Sequence, residues 1–132
     1  MIDPVMMTTM VCFLAAGTGY CLPVQATRSV RPADDLISLP DPATGVVGMI
    51  PGDPPLTVIS PLRSEGGHIL VLETAGKTFG LLVEEVTGLE RVDQDAIRPT
   101  PQGQDRQLVI GTLDIDGRLV LVADPDALAE RL

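Results

Sequence analysis

One histidine, two cysteines and three short acidic groupings are the material with which this 132-residue chain could do chemistry. Nucleophilic catalysis needs a base beside the nucleophile, so any such arrangement must rest on His68 alone. That histidine follows Gly66-Gly67 at the entrance to an apolar run, where an exposed, non-catalytic side chain is the expected reading. Asp34-Asp35 and Glu84-Glu85 are adjacent pairs, and neighbours on extended chain point to opposite faces, so neither makes a carboxylate dyad. Asp114-Ile115-Asp116-Gly117 is similar to the start of a calcium loop but lacks the later acidic ligands and the terminal glutamate. Gly66-Gly67 lacks the further glycine and the Lys-Ser/Thr of a phosphate-binding loop. Cys12 and Cys21, separated by eight residues, fit no zinc or thioredoxin-type spacing. These residues predict no catalytic group, no cofactor and no metal: the chain reads as something other than an enzyme.

The elements that carry these residues are short. Runs at 69–73 and 79–86 flank a turn at Gly76-Lys77 and are rich in Val, Ile, Leu and Phe, which predicts a hairpin. Ile69-Leu70-Val71-Leu72 and Leu81-Leu82-Val83 are apolar without alternation, so both faces of those strands must be covered. Residues 107–114 and 118–123 form a second hairpin about Asp116-Gly117, the dipeptide that supplies positive φ to a tight turn. Asp124 is placed to cap a short terminal helix with Pro125 at its first position and Asp126 in its first turn. Leu128 and Leu132, four residues apart, would lie on one face of it. Near the amino terminus, 11–16 pairs with 19–24 about Gly17-Thr18, with Cys12 and Cys21 diagonal on one face.

Between Arg31 and Pro61, seven prolines exclude long helices. Two strands remain there, 45–50 and 56–60, linked by Pro51-Gly52-Asp53-Pro54-Pro55, which cannot sit inside a ladder and leaves Met49 and Ile50 at an edge. The sum is about nine short strands and one helix, an all-β chain.

A net charge of −9 argues against nucleic-acid or anionic-membrane partners, which require clustered Lys and Arg. The apolar run 11–16 has no basic residue ahead of Arg28, is interrupted by Gly17 and Gly19, and falls short of the roughly 20 residues that span a bilayer. A cytoplasmic location without membrane insertion is therefore expected, with Cys12 and Cys21 kept as free, buried small side chains, although a disulfide is open to them. Residues 1–9 are expected to be a flexible tail ahead of one domain, 10–132.

The order of these marks resembles the CheW-like domain of bacterial chemotaxis, found in the coupling protein and in the kinase CheA. The marks are the first hairpin; Leu39-Pro40-Asp41-Pro42 before Val46-Val47-Gly48-Met49-Ile50; Phe79-Gly80-Leu81-Leu82-Val83-Glu84-Glu85-Val86; Ile97-Arg98-Pro99-Thr100-Pro101; and Gly111 before the last hairpin. The resemblance implies two intertwined SH3-like β-barrels with a short C-terminal helix. It also implies a non-catalytic adaptor that couples a CheA-type histidine kinase to a chemoreceptor tip or to another CheW-like domain. Partner contacts are expected at Val46, Val47, Met49 and Ile50, with Gly48 in a backbone role. Coupling proteins commonly carry Asn-Leu-Arg-Gly after the Gly-Val-Ile stretch, whereas Asp53 stands here where that Arg is expected. Ser29 stands where the family often has its Glu partner. Losing both leaves no unpaired charge but alters two specificity positions. The alternative is a CheW-like interaction module outside chemotaxis.

Overall fold

The unbroken apolar runs become strands buried on both faces in the computed structural model, which describes residues 7–38, 46–62, 66–99 and 108–132. In chain order the strands are β1 (Met7–Ala15), β2 (Thr18–Pro23), β3 (Thr27–Pro32), β4 (Ile37–Ser38), β5 (Val46–Ile50) and β6 (Leu56–Ile59). There follow β7 (His68–Thr74), β8 (Lys77–Val83), β9 (Glu85–Asp93), β10 (Arg98–Pro99), β11 (Val109–Ile115), β12 (Arg118–Ala123) and the helix α1 (Pro125–Ala129). They form two six-stranded sheets, β10-β11-β12-β2-β1-β9 and β3-β7-β8-β6-β5-β4. The second sheet is continuous in sequence; the first is assembled from both ends of the chain around it.

The two sheets repeat one plan. In each, a hairpin (β1–β2 or β7–β8) joins four strands from the other half of the chain, and its second strand pairs in parallel with the last of the four. Val122 therefore lies opposite Cys21, as Val58 lies opposite Gly80. A 3-10 turn, Ala33–Asp35 in one and Gln94–Ala96 in the other, precedes the two-residue strand of each. The sequence hides this repeat, because some equivalent positions, such as Cys21 and Gly80, carry different chemistry.

Alternation of side chains divides the burial into three cores. Met10, Cys12, Cys21, Leu113 and Val122 fill the interior of the first barrel. Ile50, Val58, Ile69, Val71 and Leu82 fill that of the second. The residues between them along the strands, including Val11, Phe13, Leu70, Leu72, Phe79 and Leu81, meet in a third core shared by the two barrels. This is why 69–72 shows no polar face: Ile69 and Val71 point into a barrel, Leu70 and Leu72 into the shared core.

All three expected hairpins form, but two turns lie one residue earlier than expected. Ala16-Gly17 (φ 51° and 77°) and Ala75-Gly76 (φ 53° and 76°) match Asp116-Gly117 (φ 52° and 80°). A turn of this type needs positive φ at both central positions, and glycine takes the second. The shift sets Cys12 directly opposite Cys21 rather than diagonal to it. The expected run 79–86 breaks at Glu84, where the chain passes from the second sheet to the first. Strand β1 begins at Met7, which pairs with Asp93, so the tail expected through Thr9 gives way to strand at residues 7–9. The Leu39–Pro42 mark and Thr100-Pro101 lie outside the described residues.

At the C-terminus, the Asp124 carboxylate accepts the Asp126 N–H at 3.1 Å, with Pro125 in the first turn. Leu128 is fully buried in the shared core, but the helix ends at Ala129, which packs there in place of the exposed Leu132. Thr74 on β7 donates its hydroxyl to Asp126 and ties the helix to the second sheet.

Candidate functional site

The residues equipped for chemistry are used as ties. Glu84 sits at the crossing between sheets, where its N–H donates to Leu14 O at 2.8 Å and its carboxylate accepts the Gly17 N–H at 2.7 Å. Its own carbonyl lies 2.9 Å from His68 Nδ1, which must carry the proton to donate there. One carboxylate and the single histidine thus strap the first hairpin to β7. Asp114 accepts the Gly117 N–H at 2.9 Å, closing the last hairpin instead of opening a calcium loop. Among the described residues, no three His, Cys, Asp or Glu side chains come together as a metal site would require. Both cysteines are free and buried. Burial pushes the Cys21 thiol up to about 12, with Cys12 adding to the effect. Cys12 is raised by burial and then by the charge of Glu90, so neither is a ready nucleophile at neutral pH.

The expected contact residues separate by depth. Val46, Val47 and Met49 are half-buried, whereas Ile50 is only 2% exposed and points into the second barrel. The expected sheet edge at Met49 and Ile50 is occupied by β4, in which Ile37 opposes Met49 and Ser38 opposes Gly48. Ser29 on β3 and Asp53 in the β5–β6 connector are both exposed, and among the described residues no hydrogen bond or ion pair joins them. Arg28 beside Ser29 is paired with Glu73.

Gly48 has its backbone role. A Cβ there would run into the Ile37 carbonyl oxygen, just as a Cβ on Gly111, its counterpart in the first barrel, would come within 2.7 Å of Arg98 O. Gly48→Ala is accordingly expected to cost about 1–3 kcal/mol by overpacking, read as a lower urea midpoint with unchanged slope.

Among the exposed apolar residues that escaped the sequence reading, two are related by the repeat. Val30 on β3 is 47% exposed and Leu89 on β9 is 63% exposed. Both strands are outermost in their sheets, and the two residues are equivalent. Val30 lies opposite Leu70 and Leu89 opposite Val11, both of the shared core. The available signal was a lone apolar residue within a polar run, Arg28-Ser29-Val30-Arg31 and Thr87-Gly88-Leu89-Glu90.

The model of the CheW-like domain family matches residues 54–132, more than half of the chain. The chain belongs to the CheW-like domain family. A curated relative named "Probable chemotaxis protein CheW", from Rhizobium etli, is 24% identical and aligns with 90% of this chain and 85% of its own length. The crystal structure of the scaffolding protein TtCheW from Thermoanaerobacter tengcongensis has the same fold. Its TM-score is 0.79 at 21% identity, and 90% of each chain is covered. The likeness gives this CheW-like chain its fold. Among its described residues, no helix is long and apolar enough to cross a membrane. The family match begins at Pro54, directly after Asp53.

Proposed function

We propose that this CheW-like chain is a cytoplasmic, non-catalytic adaptor of a chemotaxis-type pathway, coupling a CheA-type histidine kinase to chemoreceptors or to another CheW-like domain. The observation that carries the reading is the CheW-like two-barrel fold with apolar side chains left exposed at equivalent outer strands. An exposed apolar patch with a polar rim favours reversible association, since the apolar atoms supply burial and the rim supplies orientation. Contacts are assigned to Val46, Val47 and Met49, extended by Val30 and Leu89. Ile50 supports that surface from beneath, and Ser29 and Asp53 adjust its choice of partner.

A second reading, a CheW-like interaction module working outside chemotaxis, is supported by the resemblance, which implies an ion pair where Ser29 and Asp53 stand, and by the exposure of both residues with nothing joining them among the described residues. Calorimetry separates the two. The purified chain is expected to bind a kinase regulatory domain or a receptor-tip fragment from its own organism. Val30→Asp or Met49→Asp should weaken that binding about tenfold, a loss of about 1.4 kcal/mol. Absence of heat with every such partner at high concentration overturns the coupling reading and leaves the second.

A further inference from the structure

We infer that Cys12 and Cys21 are a redox-modifiable pair that closes, on exposure to a peroxide, into a disulfide stapling β1 to β2 inside the first barrel. The register carries the inference. Ala15 and Thr18 flank the two-residue Ala16-Gly17 turn and therefore exchange both ladder hydrogen bonds. Counting back along an unshifted ladder, Leu14–Gly19 is a non-bonded pair, Phe13–Tyr20 a bonded one and Cys12–Cys21 again non-bonded. Facing residues at non-bonded sites have Cα atoms about 4.5 Å apart with side chains close together, within the span of about 4.4–6.8 Å that a disulfide bridges. Stacking of Phe13 on Tyr20, with centroids 5.7 Å apart, holds the next rung in place.

Packing does not demand sulfur at this position. The equivalent rung of the second barrel is Val71 opposite Gly80, so small apolar groups suffice there. Access is asymmetric. Both cysteines are buried, but Cys12 keeps 9% exposure and borders a groove with Glu85, Glu90 and Leu119, whereas Cys21 has none.

The oxidant therefore meets Cys12 first. Its thiolate attacks one oxygen of hydrogen peroxide, the O–O bond breaks, and the departing hydroxide takes up a proton to leave as water. Cys12 is then a sulfenic acid. Cys21 gives up its proton as its sulfur attacks that of Cys12; the S–OH bond breaks, and hydroxide leaves with the proton as a second water. Two thiols lose two electrons and one peroxide gains them. Glu85 and Glu90 on β9, Asp116 and Arg118 at the last hairpin, and Tyr20 and Cys21 on β2 are the titratable or charged groups around Cys12. Burial and Glu90 hold Cys12 above its usual range. The thiolate fraction, and with it the rate, should therefore rise about tenfold per pH unit through pH 8 without levelling off.

The test is peroxide treatment of the folded full-length chain, quenching by alkylation and intact-mass measurement. The expected product is a monomer lighter by two hydrogens that takes up no alkylating label and yields a peptide pair joined through Cys12 and Cys21. Cys21→Ala should leave Cys12 to gain two or three oxygens, while Cys12→Ala should leave Cys21 unoxidised; circular dichroism establishes that each variant is folded. Oxygen addition without cross-linking in the unaltered chain, a disulfide between two molecules, or cross-linking only in urea overturns the inference. The measurement on the unaltered chain decides the matter even if a variant fails to fold.

Discussion

Expressed without its first 53 residues, the segment 54–132 that carries the family match is expected to show no cooperative melt. The cut does not fall between barrels; it opens both. β9 loses its register with β1 over Met7–Leu14, and β12 loses its parallel partner β2. The second sheet loses β3, β4 and β5. Met10, Cys12 and Cys21 vanish from one barrel interior and Ile50 from the other, while Val11, Phe13, Ala15 and Leu22 leave the shared core. A domain of ordinary stability has about 5–15 kcal/mol in total, and losses on this scale exceed it. Co-expression of 1–53 with 54–132 should restore the melt, because the missing strands need only be present, not covalently joined. A cooperative transition by 54–132 alone, followed by circular dichroism, would remove the architecture of interleaved halves described above.

Phe79→Ala is expected to cost about 3–5 kcal/mol, the range for emptying a phenylalanine site. Phe79 is fully buried. It belongs to the hairpin of the second barrel, yet its ring lies in the shared core, in the same cluster as Phe13 and Leu128. The chain has only two phenylalanines, so aliphatic side chains must close around any void left there. Phe79→Leu, keeping most of the volume, should cost under about 1.5 kcal/mol, and Leu89→Ala, at an exposed site, within about 0.5 kcal/mol of nothing. Urea unfolding of the three variants orders them, and a Phe79→Ala midpoint close to that of the unaltered chain would contradict the placement of this ring.

Much of the fold was legible because local signals in this chain agree with its tertiary structure. Asp116-Gly117 located a hairpin outright, and Asp124-Pro125 located the helix start. The apolar runs at 69–72 and 81–83 announced cover on both faces, which the shared core supplies. What escaped notice has physical causes. Val83-Glu84-Glu85-Val86 contains no glycine or proline, so the break at Glu84 arises from hydrogen bonds to Leu14, Gly17 and His68, all distant in sequence. The helix ends at Ala129, which is buried in the shared core, while Leu132 stays exposed beyond it. The internal repeat is hidden, since Cys21 answers to Gly80 and Arg31 to Glu90. Of the contact residues, burial distinguishes Ile50 from its neighbours, and no alternation in Val46–Ile50 foretells that, because a bulge between Val46 and Gly48 resets which face each residue takes.

The chain passes between the sheets twice, through the turn at Val24–Ala26 and through Glu84. Two tethers, unlike one, cannot act as a swivel. Bending one barrel against the other would strain both crossings at once and shear the apolar layer they share, so the molecule should behave mechanically as a stiff two-ended strut. A partner gripping one end would then fix the angle at which the other end is presented.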